Sequence, residues 1–556
     1  MPVPVIVLNF GHSVLRSLDD YTHAASEIYR HYRQGKNVVA VTSAQDDQTD
    51  ILMAEARRVG PEGAAKNLPE LIQLGERRSA ALLSLALERV GAPAFVRQAR
   101  DLGLKARGSY MDAELVGLDV RQLEEDLKNH DIVVMPGFVA IGEDDRPALL
   151  GQGGSDLTAL YVAERLGVPA LLLKDVDGVY EHDPKEAGEA PSRFTQISWD
   201  EARARAGVLI APKALDFAQN KGLEFDIGTP GVPFFTTIGA ATGATARLER
   251  PRPLRIAVLG CGIVGGGVFA RVKAQPERFE MVKIMVRDVE KYIDQGYKPD
   301  MLTTDFADIV ASKPDIFIDV SGPIDPALGF CQEMLAAGVH VVSANKQAIA
   351  AGGQALLDLA TTNNAILAFS SAAGGGMPVL EMCIRERGRI TRVEALLNGT
   401  TNYMLDEISG GKSYAQALKE AQDKGFAEAD PTADVGGADA AAKIRLVALL
   451  GFGEEITLED IPRDTIEDFT LQAPPQGAMK RISTCWKDKN GFSAALELKD
   501  VSLNNFIAQA RGEEAHAVFT FDDGDVYKIR GKGAGRWPTT ESVMADLFDI
   551  ATRYYN

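Results

Sequence analysis

The chain has 556 residues, 46% hydrophobic and 25% charged. This is an ordinary globular composition, long enough for several domains, and it excludes a disordered, fibrous or disulfide-stapled protein. With 59 Lys+Arg against 78 Asp+Glu the net charge is −19, which argues against a nucleic-acid or anionic-membrane partner and leaves room only for local basic pockets. The four cysteines form no CxxC pair and the seven histidines no metal-binding pattern. No apolar run reaches the ~18 residues of a membrane span, and the N-terminus lacks a basic leader. A cytoplasmic protein is expected.

In chain order, strands are predicted at Val3–Leu8, Asn37–Thr42, Ile132–Met135 and Ala170–Leu173, with helices at Ser79–Val90 and Thr158–Leu166. Their alternation predicts an α/β layer fold over residues 1–245. Three short motifs stand out here: Gly75-Glu76-Arg77, Gly153-Gly154-Ser155-Asp156 before a helix, and Asp175-Val-Asp177-Gly178-Val-Tyr180 after a strand. Singly each could be a polar turn. Together, and in this order, they resemble the amino-acid-kinase fold of aspartokinases. The resemblance implies a phosphate-donor site at helix N-termini and an aspartate loop suited to nucleotide or Mg²⁺.

Three departures fall on that chemistry. The family's opening Lys-Phe-Gly-Gly is Asn9-Phe10-Gly11-His12, and its arginine before Gly-Gly-Ser-Asp is Gln152. Loss of the cation at position 9 would remove support for a transferring phosphoryl group. The regulatory domains that normally follow are missing. A non-catalytic domain is therefore expected, serving as scaffold, oligomerisation surface or metabolite sensor.

Residues 246–253, ending in Pro251-Arg252-Pro253, read as a linker. The pattern then restarts with strands at Arg255–Leu259, Met281–Val286, Ile316–Val320 and Val339–Val342, separated by helices, which predicts a parallel doubly wound sheet. Gly260-Cys261-Gly262-Ile263-Val264-Gly265 follows the first of these strands directly and opens a helix. This is the context that makes GxGxxG a dinucleotide fingerprint rather than a glycine-rich turn. The second strand ends in Val286-Arg287-Asp288, with Lys291 close behind. Arg287 suits the 2′-phosphate of NADP, while Asp288 keeps NAD open as the alternative.

Two more clusters carry chemistry. Ser343-Ala344-Asn345-Lys346 follows a strand, where open α/β sheets place their ligands. Glu428-Ala-Asp430-Pro-Thr-Ala-Asp434-Val-Gly-Gly-Ala-Asp439-Ala-Ala-Ala-Lys443 gathers carboxylates and a lysine, with Asp439 and Lys443 spaced to meet on one helix face, predicted over Ala438–Leu450. Alone, that pair would be an ordinary surface ion pair. The order of motifs, however, resembles homoserine dehydrogenase: Ala344-Asn-Lys346, Gly374-Gly-Gly-Met-Pro378, Leu397-Asn398-Gly399-Thr400-Thr-Asn-Tyr403, the Glu428–Lys443 run, and Gly531-Lys-Gly533-Ala-Gly535-Arg-Trp-Pro538-Thr539.

This resemblance covers about residues 254–556. It implies NAD(P)-dependent interconversion of L-aspartate 4-semialdehyde and L-homoserine, in threonine and methionine synthesis. It implies Lys443 as proton donor and acceptor, Lys346 polarising the same oxygen and Asp439 orienting Lys443. Thr400, Glu428 and Asp434 would hold the amino-acid end of the substrate, and the loop around Gly533 would close over the cofactor. Two lysines in one partly dehydrated pocket are expected to depress each other's pKa. Ser370-Ser-Ala-Ala373 replaces the family's Glu-Ala-Ser-Val, leaving a monovalent-cation site open to question; Gly436 is a further departure.

The expected organisation is an amino-acid-kinase-like α/β domain (1–245), a linker (246–253), a Rossmann domain (254–390, completed by about 530–556) and an α+β catalytic and dimerisation domain (391–530). The protein should act on a small molecule as a homo-oligomer, a dimer or higher. The alternatives are a bifunctional kinase–dehydrogenase, and a dehydrogenase whose first half senses a metabolite.

Overall fold

The computed structural model describes residues 3–60, 66–182, 191–205, 209–241, 243–246 and 252–555. The chain divides near residue 250 into two compact units. The expected linker lies largely outside the described residues, because 247–251 are not among them.

The first unit is built on a nine-stranded sheet, with a separate sheet of four strands. At the centre of the large sheet, Val5–Phe10 lies parallel to both Asn37–Thr42 and Ala170–Leu173. These strands are apolar and almost wholly buried because helices cover both faces, as parallel sheets require. The helix predicted from Ser79 begins earlier and runs Leu68–Val90, with Pro69 tolerated in its first turn. Gly75 lies inside that helix, where a Cβ would come 3.1 Å from the Ala44 Cβ. The helix Gly154–Leu166 starts from Gly153, whose φ of +73° is left-handed.

The second unit opens with a six-stranded, wholly parallel sheet. Its strands lie in the order Leu302–Thr303, Phe279–Met285, Leu254–Leu259, Ile316–Asp319, His340–Ser343, Leu367–Ala368. In chain order that is 3-2-1-4-5-6, the doubly wound arrangement whose switch point lies between Leu254–Leu259 and Ile316–Asp319. The last helix, Arg536–Tyr555, returns to this sheet. Val543, Met544, Leu547 and Phe548 join Ile256, Val258 and Val268 in one apolar core. A buried pair, Arg271 with Glu541 at 3.1 Å, fastens it to the helix Ile263–Lys273.

Between them a five-stranded antiparallel sheet carries the remaining helices. The helix predicted over Ala438–Leu450 is α-helical over Ala438–Val447 and continues as a wider π turn over Ala448–Phe452. Among the described residues no helix is long and apolar enough to cross a membrane, and no group of His, Cys, Asp and Glu is arranged to hold a metal. All four cysteines are buried and free.

Candidate active site

At the switch point Gly260 has φ +93°, and a Cβ there would lie 3.2 Å from the Val320 carbonyl oxygen. Gly265 is tighter still, since a Cβ would meet the Gly260 carbonyl oxygen at closer than any real contact. These two glycines are therefore demanded by backbone packing. Gly262 is different: a Cβ there would meet nothing within 4 Å, so the space in front of it is open. It is also the N-cap of Ile263–Lys273 and supplies no side-chain acceptor, which leaves the first N–H groups of that helix, from Ile263, Val264 and Gly265, facing that space. Ile263 is 72% exposed beside it. An open, donor-lined cradle with an apolar flank fits a dinucleotide pyrophosphate.

The segment after the second strand is resolved by its hydrogen bonds. Asp288 caps the short helix Val289–Ile293, accepting the Lys291 N–H at 3.1 Å. Arg287 is exposed and makes no hydrogen bond or ion pair with the described residues.

The chemical centre forms where three segments converge. Asn345 caps the helix Lys346–Thr362 by accepting from the Ala348 N–H, and its amide donates to the Pro323 carbonyl at 2.8 Å. That lock places Lys346 in the first turn. Gly437, left-handed at φ +86°, starts Ala438–Val447, so Asp439 lies in a first turn that favours a carboxylate and Lys443 lies one turn on. Asp439 then bridges the two lysines: Lys346 Nζ is 2.9 Å from Oδ1 and Lys443 Nζ is 2.9 Å from Oδ2. Lys443 also donates to the Leu397 carbonyl at 2.6 Å, which uses two of its three N–H donors and leaves one for a ligand.

For Lys346 the bridge corrects the expectation of a lowered pKa. Burial does push Lys346 down, but Asp439, then Asp434 and Glu428, outweigh it, and the net direction is up. Asp439 is buried and would rise on that ground, yet Lys443 and Lys346 hold it well below the usual carboxylate range. Asp434 goes the other way. Burial and the neighbouring Asp439 charge raise it, against the bonds and charges of Asn398, Lys443 and Thr400.

Thr400 and Asp434 both lie in this cluster, with the Thr400 hydroxyl donating to the Phe426 carbonyl at 2.6 Å. Glu428 is exposed and reaches the centre through its charge. Gly533 lies against Gly375, whose Cβ, if present, would be 2.8 Å from the Gly533 carbonyl carbon. The Gly533 N–H donates to the Glu513 carbonyl at 3.4 Å, and a Cβ on Gly533 would come 3.1 Å from the Ala515 Cβ.

Sequence reasoning assigned no role to Asn398 or Arg481. Asn398 accepts the Thr401 N–H at 2.9 Å as the cap of Gly399–Ser409, while its amide donates to Asp434 at 2.6 Å and Asp439 at 2.9 Å. Its place in Leu-Asn-Gly-Thr-Thr-Asn-Tyr, directly before a helix, was the available signal. Arg481, on a distant strand, offered none.

In the first unit the structure adds a residue that sequence reasoning did not single out. Position 9 has lost its lysine, but a cation is present. Lys174, from the end of the adjacent strand, places Nζ 2.7 and 2.9 Å from the Asp156 oxygens, and Asn9 donates to the same carboxylate at 2.6 Å. All three are buried. His12 and Gln152 are exposed, and Tyr180 donates to Asp177 at 2.7 Å.

Comparison with known proteins agrees with these geometries. Residues 4–228 match the model of the amino acid kinase family, 260–370 that of the homoserine dehydrogenase NAD-binding domain and 378–548 that of homoserine dehydrogenase. Homoserine dehydrogenase of Bacillus subtilis is 33% identical over 320 residues, covering 54% of this chain and 73% of the relative. That of Synechocystis is 31% identical over 327 residues, covering 53% and 73%. A solved homoserine dehydrogenase from Thiobacillus denitrificans superposes with a TM-score of 0.51 at 28% identity, covering 55% of this chain and 74% of that one. The chain therefore belongs to the homoserine dehydrogenase family, nicotinamide-dependent oxidoreductases, and carries an amino acid kinase family domain ahead of the dehydrogenase.

Proposed function

We propose that the second unit interconverts L-aspartate 4-semialdehyde and L-homoserine through the Lys346–Asp439–Lys443 bridge, as a step in threonine and methionine synthesis. The observation that carries this reading is the bridge itself, with both lysines 2.9 Å from one buried carboxylate and donors left over on each. The nicotinamide cofactor, when bound, gives or takes the hydride. Lys443, held by Asp439 and the Leu397 carbonyl, moves the proton at the substrate's terminal oxygen. Lys346, kept charged by Asp439, polarises that oxygen. Thr400, Asp434 and Glu428 face the amino-acid end, where carboxylates attract its ammonium group.

NADP is favoured over NAD because Asp288 is engaged as a helix cap while the Arg287 guanidinium has no partner among the described residues. The four buried free thiols suit a reducing cytoplasm, and we expect a homo-oligomer. We read the first unit as non-catalytic, since its buried ammonium is committed to Asp156. The decisive experiment follows NADPH oxidation with aspartate semialdehyde in parent and Lys443→Ala. Turnover should fall by about 100-fold or more with cofactor affinity nearly unchanged; near-parental turnover removes Lys443 from the mechanism.

A further inference from the structure

Arg481 lies on the strand Ala478–Asp488 and is only 4% exposed. Among the described residues its hydrogen bonds go to no carboxylate. Nη1 donates to the Val435 carbonyl at 2.7 Å, and Nη2 to the Asp434 carbonyl at 2.5 Å and the Thr401 hydroxyl at 3.4 Å. The two carbonyls end the short helix Thr432–Val435, whose last acceptors have no partner within the helix. Burial lowers Arg481 to about 10, against the pull of Asp434, Asp439 and Asp464. It therefore stays charged at neutral pH among these acidic groups.

The clamp ties two segments of the site together. Thr401 is bonded through its N–H to Asn398, the residue whose amide holds the Asp434 and Asp439 carboxylates. Asp434 is thus fixed twice, at its backbone by Arg481 and at its carboxylate by Asn398. Other donors share these carbonyls, the Ile466 N–H on Val435 at 3.0 Å and the Gly437 N–H on Asp434 at 3.2 Å, so releasing Arg481 or Asn398 would loosen Asp434 relative to the lysine bridge without unfolding its turn. An ammonium group is recognised by a carboxylate only at the right distance from the reacting carbon, so this placement decides which substrates fit.

We propose that Arg481 is a positioning residue which sets the distance between Asp434 and the Lys346–Asp439–Lys443 bridge, and so sets the preference for substrates bearing an ammonium group. The inference rests on the reading of Asp434 as a partner of the substrate ammonium.

The test uses the full-length enzyme and the variants Arg481→Met, Arg481→Lys, Asp434→Asn and the double variant Arg481→Met/Asp434→Asn. The readouts are KM for homoserine, KM for NADP, and the inhibition constant of 4-hydroxybutanoate, which lacks the amino group. Arg481→Met should raise KM for homoserine about tenfold, the scale of a lost charge-assisted bond, and move the other two by less than about twofold. Arg481→Lys, which keeps the charge and reaches one carbonyl, should give an intermediate rise and serves as the readout if methionine impairs folding. Added to Asp434→Asn, Arg481→Met should change KM for homoserine little further, because its effect passes through Asp434. Fully additive effects, or equal losses for homoserine, NADP and 4-hydroxybutanoate, would overturn the proposal and leave Arg481 a plain structural clamp. An Asp434→Asn variant with parental KM for homoserine would overturn the ammonium reading as well, which separates the two failures.

Discussion

Asp439→Asn is the sharpest perturbation of the bridge, because it removes one charge and keeps the shape. The asparagine can still accept from Asn398 and from one lysine, but two ammonium ions lose their shared counter-charge. Opposite charges 2.9 Å apart attract by about 6 kcal/mol at an effective dielectric of about 20. Water reaching Lys346, whose side chain is 32% exposed, and relaxation of both side chains will cut this severalfold. A measurable displacement of the pH profile should survive. The sign follows from the chemistry. Homoserine oxidation needs its proton acceptor neutral, so the rate climbs with pH until that group has lost its proton. Removing the carboxylate makes the proton easier to lose, and the rising limb moves to lower pH. Turnover at the optimum should also drop by about 100-fold, because the lysines are no longer held in line. The assay is kcat against pH in the oxidation direction for parent and variant. Superimposable profiles with turnover within about threefold would refute the role assigned to the bridge.

Arg287→Ala should weaken NADPH binding by about 10- to 150-fold and leave NADH nearly unchanged, read by fluorescence titration with each cofactor; equal losses would make Arg287 structural. Asn9→Lys should destabilise the first unit by about 3 kcal/mol, since it sets a second ammonium against Asp156 beside Lys174, and adding Lys174→Met should recover most of this in calorimetry. An unchanged melting temperature in the single variant would show that the carboxylate accommodates both. Glu76 is 3% exposed and its Oε2 has no partner among the described residues; burial pushes it up to about 8 against the ordinary 4.5, with only the Ala44 N–H opposing. The folded state keeps a proton that the unfolded state loses, so stability falls by about 1.4 kcal/mol per pH unit between these two values and is flat above them. Glu76→Gln should abolish that slope, and a parent whose stability does not fall from pH 5 to pH 8 relative to the variant would disprove the shift.

Much of the second unit was legible because its information is local. A strand followed at once by Gly260, Gly262 and Gly265 specifies a turn, a close approach and a helix start within a few residues. The Asp439–Lys443 pair is likewise set by helical spacing alone. What stayed hidden depends on tertiary approach. Nothing near Lys346 in the sequence announces that Asp439 will stand between it and Lys443, and without that carboxylate two lysines are expected to repel and lose protons. For Lys346 the bridge reverses the outcome.

Lys174 makes the same point in the first unit. Position 9 reads as a lost cation when compared along one strand, but neighbouring strands in a parallel sheet bring their ends together. Asn9 pairs with Leu172, and the side chain two residues on supplies an ammonium to the same carboxylate. A charge in a folded site belongs to a location rather than to a sequence position. Substitutions that seem to delete it must be weighed against every strand that reaches the same end of the sheet. By that reasoning Arg481, which reaches Asp434 from a separate sheet, is as much part of the site as the residues in its motifs.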